Sequence, residues 1–154
     1  MNAQEMILFQ HQSLPDKSHC FRVMRLLEDS GQKDQDLLAA AILHDVGKTK
    51  TKMAWWDRPL VVLSEAFIPS LAEQWAKGSG KGWSRPFVIK ARHAEWGAEE
   101  ASAAGSSDLT VELIRRHHEA SRSLEETHIN QKVEPDNSDP ERLLALLQWA
   151  DGIN

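Results

Sequence analysis

The feature that most constrains this chain is an apolar run with an ionisable pair at its end. Leu37-Leu38-Ala39-Ala40-Ala41-Ile42-Leu43 leads directly into His44 and Asp45. A helix that is apolar all round belongs at the centre of a core, not on a surface. An imidazole and a carboxylate at its inner end are costly to bury unless they are paired or bound to a metal. Taken alone, the dipeptide is equally compatible with a buried His–Asp hydrogen bond or a solvated helix end.

The rest of the chain predicts further helices around this one. Val and Ile nowhere alternate with polar residues over a strand length, so the sheet signal is weak. Leu14-Pro15, Arg58-Pro59, Arg85-Pro86 and Asp139-Pro140 each precede an apolar-periodic segment, and proline suits a first helical turn. Asp57, Ser84 and Asp139 are candidate N-caps. The pattern predicts helices over Gln4–Gln10, Pro15–Asp29, Asp34–His44, Pro59–Ala76 (kinked at Pro69), Arg85–Ala104 (interrupted near His93), Asp108–Glu119 and Pro140–Asp151. Gly31, Gly47 and Gly105 fall at predicted helix ends, and residues 78–82 and 129–138 have loop composition. No internal repeat or linker appears. The expected architecture is all-α, a compact bundle forming one domain over residues 1–154.

Composition narrows the function classes. The chain has 154 residues, enough for one ordinary core without disulfides. Its formal net charge of −5 argues against a dedicated nucleic-acid binder. Cys20 is the only cysteine, which excludes an intramolecular disulfide and a cysteine-rich zinc site. No run approaches ~18 apolar residues, so no membrane-spanning helix is expected. Residues 1–9 lack the pattern of a secretory signal. A reducing, cytoplasmic setting is the simplest expectation.

Other histidines and aspartates stand at comparable places. His19 lies mid-helix among Phe21, Val23, Leu26 and Leu27. His93 follows the long insertion of residues 46–92. His117-His118 follows Leu109, Val111, Leu113 and Ile114, and Asp151 ends the apolar segment Leu143–Trp149. Imidazole and carboxylate together suit Mn, Fe, Zn, Ni or Co without a thiolate. His11 and His128 have polar neighbours and are expected at the surface. Cys20 is expected to be a small buried residue facing away from His19. The six tryptophans are expected in the core more than on a substrate platform.

Together these residues resemble the HD superfamily of metal-dependent phosphohydrolases. Ala39-Ala40-Ala41-Ile42-Leu43-His44-Asp45-Val46-Gly47-Lys48 is similar to that family's central motif. His19 resembles its first histidine, and His93 the additional histidine of dinuclear members. His117-His118-Glu119 and Ala150-Asp151 resemble the remaining ligand segments. The resemblance spans about residues 15–151. It implies an all-α core with two divalent transition metals at its centre. One would be held by His19, His44, Asp45 and Asp151. Asp45 would bridge to a second, held by His93, His117 and His118. Such a pair supplies a hydroxide nucleophile and stabilises the attacking and leaving oxygens.

Lys48, one turn beyond the pair, suits a phosphate oxygen as a compact point charge. Lys50 and Lys52 fit a solvated loop better. Gly47-Lys48-Thr49 is not a P-loop end, because Ile42 stands where the earlier glycine is required. A chain without tyrosine cannot carry the Gly-Tyr-Pro signature of the HD-GYP branch. The leading expectation is a phosphohydrolase acting on a small phosphorylated substrate, a monoester or a nucleotide-type phosphodiester, with Asp45 and Lys48 as catalytic residues. An HD-type di-iron oxygenase and a non-catalytic nucleotide- or metal-binding sensor are the alternatives.

Overall fold

A computed structural model of the chain describes residues 1–50, 75, 85–119 and 139–153. Within them the elements are helices α1 (Ala3–His11), α2 (Leu14–Asp29) and α3 (Gln35–Leu43), a 3-10 turn (Val46–Lys50), and helices α4 (Arg85–Ala103), α5 (Asp108–Arg116) and α6 (Pro140–Ile153). No strand occurs among the described residues, as the sequence predicts. The helix predicted over Pro59–Ala76, the loops at 78–82 and 129–138, the caps Asp57 and Ser84, Lys52, His128, Trp55, Trp56 and Trp83 lie outside the described residues, Trp75 excepted.

Local chemistry sets the helix ends. Asn2 Oδ1 accepts from Gln4 N and Glu5 N, and Glu5 accepts in return from Asn2 N, which opens α1 with a capping box. Ser13, Asp34 and Ser107 cap α2, α3 and α5 through side-chain oxygens. Asp139 accepts from Glu141 N at the start of α6. Gly31 (φ 89°) and Gly105 (φ 77°) take the left-handed conformation that closes α2 and α4. Gln32 N bonds Leu27 O, and Ser106 N bonds Ala101 O, across those two ends.

Three boundaries differ from the sequence expectation. Helix α4 runs unbroken through His93, because that side chain turns inward and bonds Ile89 O within its own helix. Helix α5 ends at Arg116 rather than Glu119, with His117 as its C-cap. After α3 the chain does not stop at Gly47 but tightens into the 3-10 turn.

Helix α3 is the hub. It packs on α1, α2, α5 and α6. Leu37, Ala40, Ala41 and Leu43 are fully buried with Val23, Leu27, Ile114, Leu143, Leu147 and Ala150. Full burial of one leucine contributes roughly 1.5–3 kcal/mol. The helix is apolar round its circumference because it has neighbours on every side. The 3-10 turn lies against α4 at a backbone-to-backbone crossing. A Cβ on Gly47 would collide with His93 O and come within 2.6 Å of Gly97 N. Glycine at 47 therefore answers to proximity, not to an unusual φ.

Gly47→Ala should cost at or above the ~3 kcal/mol upper end of ordinary overpacking, because backbone cannot step aside as a side chain can. Gly97→Ala, whose nearest new contacts are at 3.3 Å, should cost clearly less. Urea midpoints of the two variants test this, and equal losses would count against the crossing as the tight point.

Candidate metal centre

Five helices deliver the polar side chains to one place. His19 comes from mid-α2, His44 from the C-cap of α3 and Asp45 from the next residue. His93 comes from α4, His117 and His118 from the end of α5, and Asp151 from the last turns of α6. The fold brings all seven predicted residues together.

They form two clusters with Asp45 between them. In the first, His19 Nε2 lies 2.8 Å from Asp151 Oδ1 and 3.3 Å from His44 Nε2, and His44 Nε2 is 3.5 Å from the same carboxylate oxygen. In the second, His118 Nε2 lies 2.8 Å from His93 Nε2. The His117 ring stands beside both, 5.5 Å from His93 and 5.1 Å from His44, centroid to centroid. Each Asp45 oxygen faces one cluster. Oδ2 is 3.7 Å from His44 Nε2 and 4.0 Å from His19 Nε2, whereas Oδ1 is 3.6 Å from His93 Nε2.

Backbone carbonyls orient the rings. His44 Nδ1 bonds Ala41 O at 3.0 Å, His93 Nδ1 bonds Ile89 O at 3.0 Å, and His117 Nδ1 bonds Ile114 O at 2.6 Å. A carbonyl only accepts, so Nδ1 carries the proton in each ring. In the neutral ring, Nε2 then presents its lone pair to the centre. His117 Nε2 is buried and has no hydrogen-bond partner among the described residues. Orphaned buried nitrogens are rare, and one aimed at an imidazole–carboxylate set fits a metal ligand. The donor set suits a borderline divalent ion, and the residues present fit the group.

The electrostatics point the same way. Burial pulls His44 down, but Asp45, Asp151 and Cys20 outweigh it and hold the imidazole well above its ordinary value. The site thus favours a cation next to those carboxylates. Burial works to raise Asp45 and Asp151. His44, Lys48 and His93 outweigh it at Asp45, and bonds from His19 and His44 outweigh it at Asp151, so both stay below the usual carboxylate range. Burial, then the Lys48 ammonium, pushes His93 down to about 4. Burial also lowers His117 and His118.

Lys48 Nζ sits 2.5 Å from Asp45 Oδ2 and keeps 24% of its side chain exposed, so it touches both the centre and solvent. Lys50 is engaged by Glu99 at 2.9 Å and lies over the Trp96 ring, consistent with a surface role. His11 is exposed, as expected. Cys20 is buried, as expected, but it also touches the site. Its Sγ lies 3.9 Å from His44 Nδ1, on the ring edge that already faces Ala41 O. Gln12 was not singled out by the sequence. It is buried and donates to Ile42 O near the end of α3, and nothing in its local sequence signals this.

The model of the HD-domain family matches residues 17–153, and the chain belongs to that family. HD domains form a superfamily of metal-dependent hydrolases that bind divalent metals. No curated protein and no solved structure gives a match. Among the described residues, no helix is long and apolar enough to cross a membrane.

A pH response follows for the protein stripped of metal. The fold keeps His93, His117 and His118 neutral below their ordinary value of 6.5, while the unfolded chain protonates them there. The unfolded state then binds more protons, so stability falls as pH drops from 6.5 towards 4. The raised His44 acts oppositely: its contribution is complete below 6.5 and is lost as pH rises through its folded value. The urea midpoint of chelator-treated protein should therefore drop between pH 6.5 and 4, with a shallower slope in His93→Gln. A flat profile would contradict the neutral cluster.

Proposed function

We propose that this HD domain is a phosphohydrolase that uses two divalent transition metals to cleave a small phosphate monoester or a nucleotide-type phosphodiester. The observation that carries the reading is the division of Asp45. Its two oxygens face separate histidine clusters, the arrangement expected of a carboxylate shared by two cations. His19, His44 and Asp151 would complete one ligand set, and His93, His117 and His118 the other. When bound, such a pair lowers the pKa of water towards neutrality and offsets charge on a phosphoryl group.

The chain's own groups do the rest. The three Nδ1–carbonyl bonds hold His44, His93 and His117 in the ligating tautomer. Asp45 and Asp151 stay ionised across the neutral range and balance cationic charge. Lys48 stands at the edge of the centre with part of its side chain in solvent, where its ammonium can hold a phosphate oxygen and orient the ester. The rings of His44 and His117, buried at the inner side, shield the centre from bulk water.

Three substitutions rank the roles. Asp45→Ala should lose both metals and essentially all activity. Asp151→Ala should lose or weaken one metal and retain the site of His93 and His117. Lys48→Ala should keep full metal content yet lose roughly 10- to 1000-fold in kcat/KM, since one charge-assisted phosphate contact is worth about 1.5–4 kcal/mol. Elemental analysis and kinetics on the three variants test this. Two metals in Asp45→Ala would end the bridging role, and a fully active Lys48→Ala would make Lys48 a bystander.

Turnover should also proceed without dioxygen and with redox-inert metals. A panel of phosphate esters with Mn, Ni, Co, Fe and Mg, run under nitrogen, measures this. Strict dependence on iron and dioxygen, with no phosphate released, would replace hydrolysis by oxygenation.

A further inference from the structure

We propose that Arg116, Glu141 and Gln148 form a spacer that sets the distance between the two histidine clusters, acting as positioning residues for the metal at His93, His117 and His118. The inference rests on the two-metal reading above.

The histidine pair sits where a helix runs out. Helix α5 ends at Arg116, and the carbonyls of a last turn have no partner within their own helix. Beyond the helix Arg116 O accepts from Glu119 N at 2.8 Å, and Gln148, on α6, adds a second donor. Its Nε2 donates to Glu119 O at 3.0 Å and to Arg116 O at 3.3 Å. Those two carbonyls bracket His117 and His118, so one amide grips the pair's backbone from both sides.

Arg116 makes the second grip. Its guanidinium meets Glu141 in a fork, Nη1 to Oε1 at 2.8 Å and Nη2 to Oε2 at 3.3 Å. The same planar group bonds Glu119 through Nε at 2.8 Å and Glu112 through Nη1 at 3.1 Å. A single exposed ion pair would do little. Here one rigid fork is held by three carboxylates, from α5, from the turn after it and from α6, which fixes direction as well as distance.

The helix that holds the pair also feeds the other cluster. Glu141, Gln148 and Asp151 are spaced by seven and three residues, which puts them on one stripe of α6. Gln148 and Asp151 are about 4.5 Å apart along the axis. One end of the stripe grips the turn of His117 and His118, and the other delivers Asp151 to His19 and His44. The stripe therefore works as a ruler between the clusters. Two-metal chemistry needs its ions roughly 3.5–4 Å apart, so such a ruler bears on function beyond stability.

The test is an Mn2+ titration of the full chelator-treated chain, read by calorimetry and by spin coupling between bound ions. Gln148→Met keeps length and volume but removes the donor. Arg116→Met removes the fork, and Arg116→Lys keeps only its charge. His93→Ala and His19→Ala identify which binding step belongs to which cluster. In Gln148→Met and Arg116→Met, the His93, His117 and His118 step should weaken by roughly 10- to 100-fold and the other by no more than about threefold. Arg116→Lys should fall between parent and Arg116→Met, and the coupling between the two Mn2+ ions should change. Equal weakening of both steps, or no change in either, would overturn the spacer. A parent that binds only one Mn2+ would overturn the two-metal reading and the spacer with it. A parent with two Mn2+ and unmoved variants would overturn the spacer alone.

Discussion

A carboxylate with 3% of its side chain exposed cannot stay ionised inside a helical core unless positive charge is arranged around it. Asp45 is that carboxylate, and much of the fold answers to it. Lys48 reaches it from the 3-10 turn, His44 from the preceding residue, and His93 from α4. The turn reaches α4 only because Gly47 lets two backbones cross. Helix α3 brings Asp45 to the centre only because its whole circumference is apolar. Removing any one of these conditions leaves the buried charge less well compensated.

The parts of this centre that the sequence made legible share one property: residue type and periodicity specify them. An all-apolar segment has to be central, so α3 and the depth of His44 and Asp45 followed from it. Asn, Ser, Asp and Gly at helix ends follow from the bonding needs of terminal backbone groups, and Gly31 and Gly105 took the expected conformation. His19, His44, Asp45, His117, His118 and Asp151 stood out because they interrupt or end apolar stretches, and His93 through the family resemblance; all seven converge.

What the sequence hid depends on tertiary proximity. Nothing local says that Gly47 must pass over Gly97, so the continuation of α3 into a 3-10 turn was missed. The interruption expected at His93 is absent because its polar group is satisfied within the helix, by Ile89 O. The chain beyond the early end of α5 is met by Gln148, 29 residues past Glu119, a partner no local pattern signals. Cys20 looked like packing alone because its neighbour, His44, comes from a different helix. Gln12 and Gln148 are ordinary polar residues until the fold places a carbonyl opposite them.

The Nδ1 bonds of His44, His93 and His117 have a further consequence. Their acceptors lie three or four residues earlier in the same helix: Ala41, Ile89 and Ile114. Each ring's choice between its two neutral proton arrangements is thus favoured by a bond within a single helical turn. The bond that selects the ligating nitrogen lies within the segment that carries the ring, not between segments. Assembly of the centre then requires segments to meet, but no relocation of protons within the rings once they have met.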